Sequence, residues 1–187
     1  MKLTILALCA MTILATVVSL PASASSDMPD QILYMVPEGE VPQELSAILG
    51  NLEPVSHDLR LLRNIAQATF CLPQNVLGIL FHGLLQITGQ VVERAERNEL
   101  TIVITRLPIG ASLGKTVFLH TSLQTENAIR HEVGHVHQGY KHGPFFLLLE
   151  GAASFTQAIL SAISPSLAAD YFERWPEDEA NKLGGVT

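Results

Sequence analysis

The chain has 187 residues, of which 48% are hydrophobic and 16% are charged, and its formal net charge at pH 7 is −7. This composition excludes an intrinsically disordered chain and predicts a domain with a hydrophobic core. The acidic balance argues against nucleic acid, or an anionic membrane surface, as the main partner.

The first 24 residues have the pattern of a secretory signal peptide. One early charge, Lys2, precedes a nearly uninterrupted apolar run over 3–20, and small residues stand at Ala22 and Ala24. We therefore expect cleavage after Ala24, export to the periplasm or the medium, and no stable membrane insertion afterwards. The alternative is an uncleaved membrane anchor, because about eighteen apolar residues are just enough to span a bilayer. Residues 25–187 are expected to form a single domain.

Helices are predicted in the first part of this domain. The Ser-, Pro- and Gly-rich segment 25–41 is expected to be an extended arm with a short strand near 32–36. Apolar residues at helical spacing, bounded by caps and prolines, predict three helices, at about 42–49, 57–70 and 76–87. Cys71 would be the only cysteine left after cleavage. We expect it to be a buried thiol or, alternatively, to form an intermolecular disulfide.

Strands are predicted in the middle of the chain. Residues 91–98 contain four charges and are ambiguous between a helix end and a strand. Dense β-branched residues predict strands over 100–105 and 116–120. The segment 108–114, which contains proline and glycine, is predicted to be a loop. We therefore expect a small sheet in an α+β domain.

Three helices are predicted after the sheet. Thr125 is a suitable N-cap for a helix over 125–138. The second helix, over 144–162, begins and ends at prolines. The last, near 166–174, precedes a polar tail.

The first of these helices contains the sequence His131-Glu132-Val133-Gly134-His135. Two histidines four residues apart project from the same helix face, so both imidazoles can reach one metal ion, with Glu132 beside it. This H-E-x-x-H arrangement is typical of zinc peptidases, in which the carboxylate is the general base. Gly134 lowers helix stability by about 1 kcal/mol relative to alanine, which predicts that another segment packs closely there. The alternative is an exposed histidine pair on a solvated helix.

A catalytic zinc site needs a third protein ligand, and two residues are candidates. Glu150 lies in the middle of the apolar helix over 144–162, where an ionised and unpaired carboxylate would be costly to bury. His142 is the alternative, because it stands one residue beyond the last histidine of the metzincin pattern H-E-x-x-H-x-x-G-x-x-H. Metzincins also have a methionine turn below the metal, and no methionine follows Met35. We therefore prefer Glu150, which without a metal would face solvent or pair with Lys141.

The segment 131–155 resembles the active site of gluzincin metallopeptidases, in particular the short peptidase MA-like group. The resemblance lies in H-E-x-x-H, a loop, and a helix bearing E-G-x-A after a hydrophobic segment, here HEVGHVHQ and GPFFLLLEGAASF. Ser154 stands where those relatives often have an acid, and Phe155 where they often have tyrosine. The resemblance implies a zincin-like fold, Zn²⁺ as the cofactor, Glu132 as the base, and three zinc ligands: His131, His135 and Glu150.

The expected function is zinc-dependent hydrolysis of peptide bonds in a peptide or protein substrate. Zinc would lower the pKa of its bound water and polarise the scissile carbonyl, while Glu132 would move the proton to the leaving amine. Candidates for a second oxyanion donor are Tyr140, His142 and Tyr171. The strand over 116–120 could pair with the substrate backbone. The alternatives are a hydrolase of non-peptide substrates and a non-catalytic zinc-binding domain, although a structural site has no need of Glu132.

Overall fold

The computed structural model describes residues 57–186. The predictions for the first part of the chain lie outside these residues: the signal peptide over 1–24, the arm over 25–41, the strand at 32–36 and the helix at 42–49. The description begins with two helices, α1 (His57–Ala68) and α2 (Leu72–Ile87). Helix α2 starts earlier than the sequence predicts, because Pro73 fits into its first turn.

Four strands and a further series of helical segments follow. The strands are β1 (Val91–Arg97), β2 (Leu100–Thr105), β3 (Gly110–Leu113) and β4 (Thr116–His120). A 3₁₀ turn (Thr121–Leu123) leads to the long helix α3 (Glu126–His142). The segments after α3 are a 3₁₀ turn (Gly143–Phe145), a π-helical turn (Leu147–Gly151), α4 (Ala152–Ile163), α5 (Pro165–Ala169), a 3₁₀ turn (Tyr171–Glu173) and α6 (Glu177–Gly184).

The strands form one mixed sheet in the order β1-β2-β4-β3. The pairs β1–β2 and β3–β4 are antiparallel, whereas β2 and β4 are parallel. The ambiguous segment 91–98 is therefore a strand, at one edge of the sheet. The described residues have the α+β architecture that the sequence predicts, with a small sheet and packed helices.

The hydrophobic core occupies both faces of this sheet, which explains why every residue of β2 is buried. On one face, Ile129 and Val136 of α3 pack against alternate apolar residues of the strands, which are Leu100, Ile102, Ile104, Val117 and Leu119. On the other face, Phe81 of α2 packs edge-on against Phe118, with ring centroids 4.9 Å apart. Helix α3 is thus fixed to the sheet along its length.

The structure corrects two expectations about the sheet. The segment 108–114, predicted to be a loop, contains strand β3 at the edge opposite β1. Its four residues are too few to show an alternating pattern. The segment 116–120 forms β4 as predicted, but β4 pairs with β2 on one side and β3 on the other. Both of its edges are occupied, so the prediction that it binds substrate by backbone pairing is wrong.

The helices after the sheet also differ from the predictions. Helix α3 continues past residue 138 to His142 and ends at Gly143, whose φ of +57° glycine adopts readily. The single helix predicted over 144–162 is interrupted by the 3₁₀ and π-helical turns, and the chain bends by 110° between 126–145 and 147–161. The predicted polar tail contains helix α6.

No single helix within residues 57–186 is long and apolar enough to cross a membrane. Two pairs of helices reach that length and hydropathy only when the members of each pair are taken together. The first pair, α1 with α2, is bent by 81°, and the second is the bent pair at 126–161.

Candidate metal centre

Helix α3 carries the H-E-x-x-H motif and is capped at its N-terminus by Thr125. The backbone N–H of Ala128 donates a hydrogen bond of 3.2 Å to the Thr125 hydroxyl, as expected of an N-cap. Because another face of α3 is packed on the sheet, the face that carries His131 and His135 is held toward α6.

Helix α6 packs antiparallel to α3 at very short range. An ideal Cβ on Gly134 would lie 1.9 Å from the carbonyl oxygen of Ala180, so only glycine allows this approach. The expectation that another segment packs closely at Gly134 is confirmed. The approach brings Glu177 and Asn181 of α6 to the histidine pair.

Glu177 forms a three-residue group with His131 and His135. Its Oε2 atom lies 3.0 Å from Nε2 of His131 and 3.2 Å from Nε2 of His135. The three ligand atoms lie within 4.8 Å of one another, and the residues are 0 to 8% exposed. Tetrahedral zinc with bonds of about 2.0–2.2 Å separates its ligand atoms by about 3.3–3.6 Å. The observed separations are close to these values.

The other ring nitrogen of each histidine contacts a side-chain amide. Nδ1 of His131 lies 2.7 Å from Oδ1 of Asn181, and Nδ1 of His135 lies 2.8 Å from Oε1 of Gln138. Gln138 is oriented by its Nε2, which donates a hydrogen bond of 2.9 Å to the carbonyl of Pro176. Because an amide oxygen can only accept, each Nδ1 donates in its contact, and Nε2 of each ring is the atom that faces Glu177. Metal-binding histidines are commonly oriented in this way.

This donor set fits a divalent metal ion. Two Nε2 atoms and one carboxylate oxygen converge on the same point, where either a proton shared between His135 and Glu177, which lie 3.2 Å apart, or a bound cation offsets the negative charge. Nε2 of His131 is buried and has no hydrogen-bond partner among the described residues, although the carboxylate of Glu177 lies beside it. The group His131, His135 and Glu177 could therefore bind a metal ion.

The short distances between the ligand side chains shift the pKa values of Glu177 and His135 in opposite directions. Burial raises the pKa of Glu177, but the two imidazoles lower it further, so the pKa lies well below its ordinary value. Burial lowers the pKa of His135, but the neighbouring Glu177 and Glu132 carboxylates raise it to about 9. Without a metal, a proton on the imidazole thus supplies positive charge to the group. A metal ion that binds here replaces that proton.

Glu132 lies beside this group and is held by strand β3. The hydroxyl of Ser112 lies 2.8 Å from Oε2 and 2.8 Å from the backbone oxygen of Glu132. Glu132 is 1% exposed, and its charge contributes to the raised pKa of His135. Its carboxylate is thus near the ligands without belonging to the three-residue group.

Tyr171, one of the predicted oxyanion donors, lies near the same group. Burial raises the pKa of Tyr171 strongly, the charge of Glu177 raises it further, and a hydrogen bond with Ser154 lowers it only in part. The Tyr171 ring packs edge-on against Phe172, at 4.9 Å between centroids, and Phe172 packs against His131 at 5.3 Å. The Tyr171 hydroxyl therefore stays protonated and can donate a hydrogen bond.

The other predicted site residues do not join the histidine pair. Glu150, the preferred third ligand, forms a second group with His142 and Glu179, and their ligand atoms lie within 4.8 Å of one another. The hydroxyl of Tyr140 accepts a hydrogen bond of 2.9 Å from Gln67 of α1. Glu150 and His142, the two residues predicted as the third ligand, thus lie in this second group, and the carboxylate beside the histidine pair is that of Glu177.

Four residues of the site were missed by the sequence-based reasoning. Glu177 and Asn181 are four residues apart, as His131 and His135 are, and this matched helical spacing was the signal that could have found them. The remaining two are Gln138 and Ser112. Gln138 follows His135, the second histidine of the motif, by three residues. Ser112 lies on β3, which is not predicted from the sequence.

Comparisons with known proteins identify no relative of this chain. No family model matches it, and no curated protein or solved structure shows a significant match. Its function is therefore inferred from the geometry of the described residues.

Proposed function

We propose that this chain is a zinc-dependent peptide hydrolase whose ion is held by His131, His135 and Glu177. The observation that carries the proposal is the buried Glu132 carboxylate, which Ser112 contacts at 2.8 Å beside the three ligands. A purely structural zinc site tends to close with four protein ligands and needs no such carboxylate. Two imidazoles and one carboxylate leave one position of a tetrahedral site open, as in catalytic zinc sites.

Each residue of the site has its own task in this proposal. A bound zinc ion would supply Lewis acidity toward water and toward the scissile carbonyl. Glu132 accepts the proton of the attacking water and delivers it to the leaving amine. The protonated hydroxyl of Tyr171 donates a hydrogen bond to the oxyanion that develops on the substrate.

The substrate backbone is proposed to pair with β3 and not with β4. Strand β3 lies at the edge of the sheet, and its Ser112 contacts Glu132 of the site. An extended peptide that adds to this edge would pass beside the ligand-bearing face of α3. Addition of a strand to a sheet edge is a common mode of peptide recognition.

The proposal is tested by zinc content and peptide cleavage, measured on the full chain. Wild type should contain zinc and cleave members of a fluorogenic peptide library. Glu132→Gln should keep its zinc and lose about 10²- to 10⁴-fold in kcat, because proton transfer is lost while the ligands remain. Glu173→Gln, at an exposed carboxylate of the 3₁₀ turn after α5, is the matched control. Full activity of Glu132→Gln would contradict the proposal.

The identity of the third ligand is tested by two matched variants. Glu177→Gln should weaken zinc binding at the histidine pair by at least about 10- to 100-fold, because this is the usual loss when a residue that only orients a ligand is removed. Glu150→Gln should leave zinc bound to His131 and His135. The site is followed by the nuclear magnetic resonances of these two imidazoles during zinc titration. The reverse result would assign Glu150 as the third ligand, as the sequence predicts.

A non-catalytic zinc-binding domain is the second candidate function. It is favoured by the burial of the ligands, because Glu177 is 0%, His131 5% and His135 8% exposed. Phe172 also covers His131. Stoichiometric zinc without cleavage of any peptide by wild type would support this function over hydrolysis.

A further inference from the structure

A second group of ligand-type side chains lies outside the centre described above. It consists of His142 at the end of α3, Glu150 in the π-helical turn and Glu179 in α6, with one ligand atom from each within 4.8 Å of the others. The three residues come from separate segments of the chain. The fold therefore brings them together, since sequence neighbourhood alone does not.

The carboxylate of Glu150 is the most unusual member of this group. It is 1% exposed, and neither of its oxygens has a hydrogen-bond partner among the described residues. Nδ1 of His142 lies against Oε1 of Glu150 but likewise has no hydrogen-bond partner. An ionised carboxylate buried without hydrogen bonds is costly unless a proton or a cation neutralises it, and among the described residues only the His142 imidazole lies against Glu150 as an ion-pair partner.

The surroundings of Glu179 fit a role as the third donor. Its Oε2 accepts hydrogen bonds from Nε2 of Gln138 at 3.2 Å and from Nε1 of Trp175 at 3.3 Å. Such outer contacts orient carboxylates that bind metals. Nζ of Lys141 contacts Oε1, but Lys141 is exposed and can turn into solvent.

We propose that His142, Glu150 and Glu179 bind a second divalent metal ion, separate from the ion at His131 and His135. One imidazole and two carboxylates are donors that suit zinc and other first-row divalent ions. The ion would fasten the π-helical turn to the end of α3 and to α6. This role does not depend on whether the chain hydrolyses peptides.

The proposal is tested by zinc stoichiometry in equilibrium dialysis of the full chain against buffered free zinc. Wild type should bind two ions per chain. His142→Gln should bind one, and so should Glu177→Gln, which removes a ligand of the other site. The double variant should bind none. His82→Gln, on helix α2 outside both groups, is the control and should bind two.

Two results would overturn the second site. One zinc ion per wild-type chain that His142→Gln also retains contradicts it, and two ions in His142→Gln would show that this histidine is not a ligand. His142 is the residue of choice because its side chain is 26% exposed, whereas substitution of the buried Glu150 could disturb folding. Circular dichroism of each variant confirms that it folds. Because stoichiometry is read without any substrate, failure of the proposed hydrolysis would not affect this result.

Discussion

Two amide side chains determine which ring nitrogens of the histidine pair remain free to bind a metal. Asn181 and Gln138 each present an oxygen to an Nδ1 atom, at 2.7 and 2.8 Å. Each Nδ1 is thereby kept protonated and each Nε2 is turned toward Glu177. The first prediction follows from this arrangement.

Asn181→Leu should weaken zinc binding at the histidine pair by about 10- to 100-fold, because the acceptor that orients His131 is lost. Asn181→Asp is the matched control, since its carboxylate can accept the same hydrogen bond. Competition with a chromophoric chelator measures both affinities. Equal affinity of the leucine variant and wild type would show that the amide does not orient the ring.

Cys71 provides a prediction about pH. Its thiol is 1% exposed and lies 3.3 Å from the carbonyl oxygen of Gly139, and burial raises the pKa to about 11 from an ordinary value of 9.0. At pH 8 the thiolate fraction should be about 100-fold lower than in the unfolded chain. Alkylation of the Cys71 peptide, followed by mass spectrometry with and without urea, measures this. Because the folded pKa is raised, this thiol also stabilises the fold less as the pH rises from 9 toward 11.

At the scale of elements, the close contact between α3 and α6 depends on glycine. Gly134→Ala would place a Cβ 1.9 Å from the Ala180 oxygen, so the two helices must separate. We expect a loss of about 1–3 kcal/mol in the free energy of unfolding and weaker zinc binding. Urea denaturation measures the first effect and zinc titration the second.

Gly83→Ala is the matched control for this substitution. Gly83 also lies inside a helix, α2, but an added Cβ meets nothing within 4 Å. Alanine should therefore stabilise this position by about 0.5–1 kcal/mol. A Gly134→Ala variant as stable as Gly83→Ala would mean that α6 does not pack against α3 as described.

The elements that the sequence predicts well are those whose burial and ends can be read from residues within the same segment. Strand β2 is a run of β-branched residues buried on both faces, and α3 has both a threonine cap and an apolar face. Helix α6 was missed because it has no apolar stripe: it buries only Glu177 and Ala180. Its packing depends on glycine and on polar contacts with α3, which hydrophobic periodicity does not reveal.

The residues of the candidate site are likewise of two kinds: those that local spacing brings together and those that only tertiary packing brings together. His131, Glu132 and His135 lie within one helical turn, so their spacing alone brings them together. Glu177 lies 42 residues after His135 in the chain, and only the antiparallel contact of two helices brings its carboxylate within 3.2 Å. Glu150 is predicted from the sequence to bind the metal of the histidine pair or, without one, to face solvent or pair with Lys141. In the structure it is buried against His142, because the π-helical turn directs it there and helical spacing does not reveal such a turn.

At the scale of the whole molecule, α6 should depend on the metal more than the sheet does. Helix α6 has eight residues, and helices of this length are marginal without tertiary contacts. In the proposed holoprotein a ligand bond from Glu177 adds to those contacts. Chelation should therefore speed hydrogen exchange over residues 171–186 and leave β2 and β4 protected. Exchange that rises equally in the sheet, or that does not rise over 171–186, would contradict this coupling.

Gln138 touches both proposed centres, and its two amide atoms have opposite roles. The oxygen accepts from His135, while the nitrogen donates to Glu179 at 3.2 Å. A shift of this amide caused by an ion at one centre must alter the donors of the other. Thermodynamic reciprocity then requires that each ion change the affinity for its neighbour by the same factor. The chain would respond to zinc concentration as a linked pair of sites. In Gln138→Leu the link is lost, so the affinity of each site should no longer depend on whether the other site is occupied.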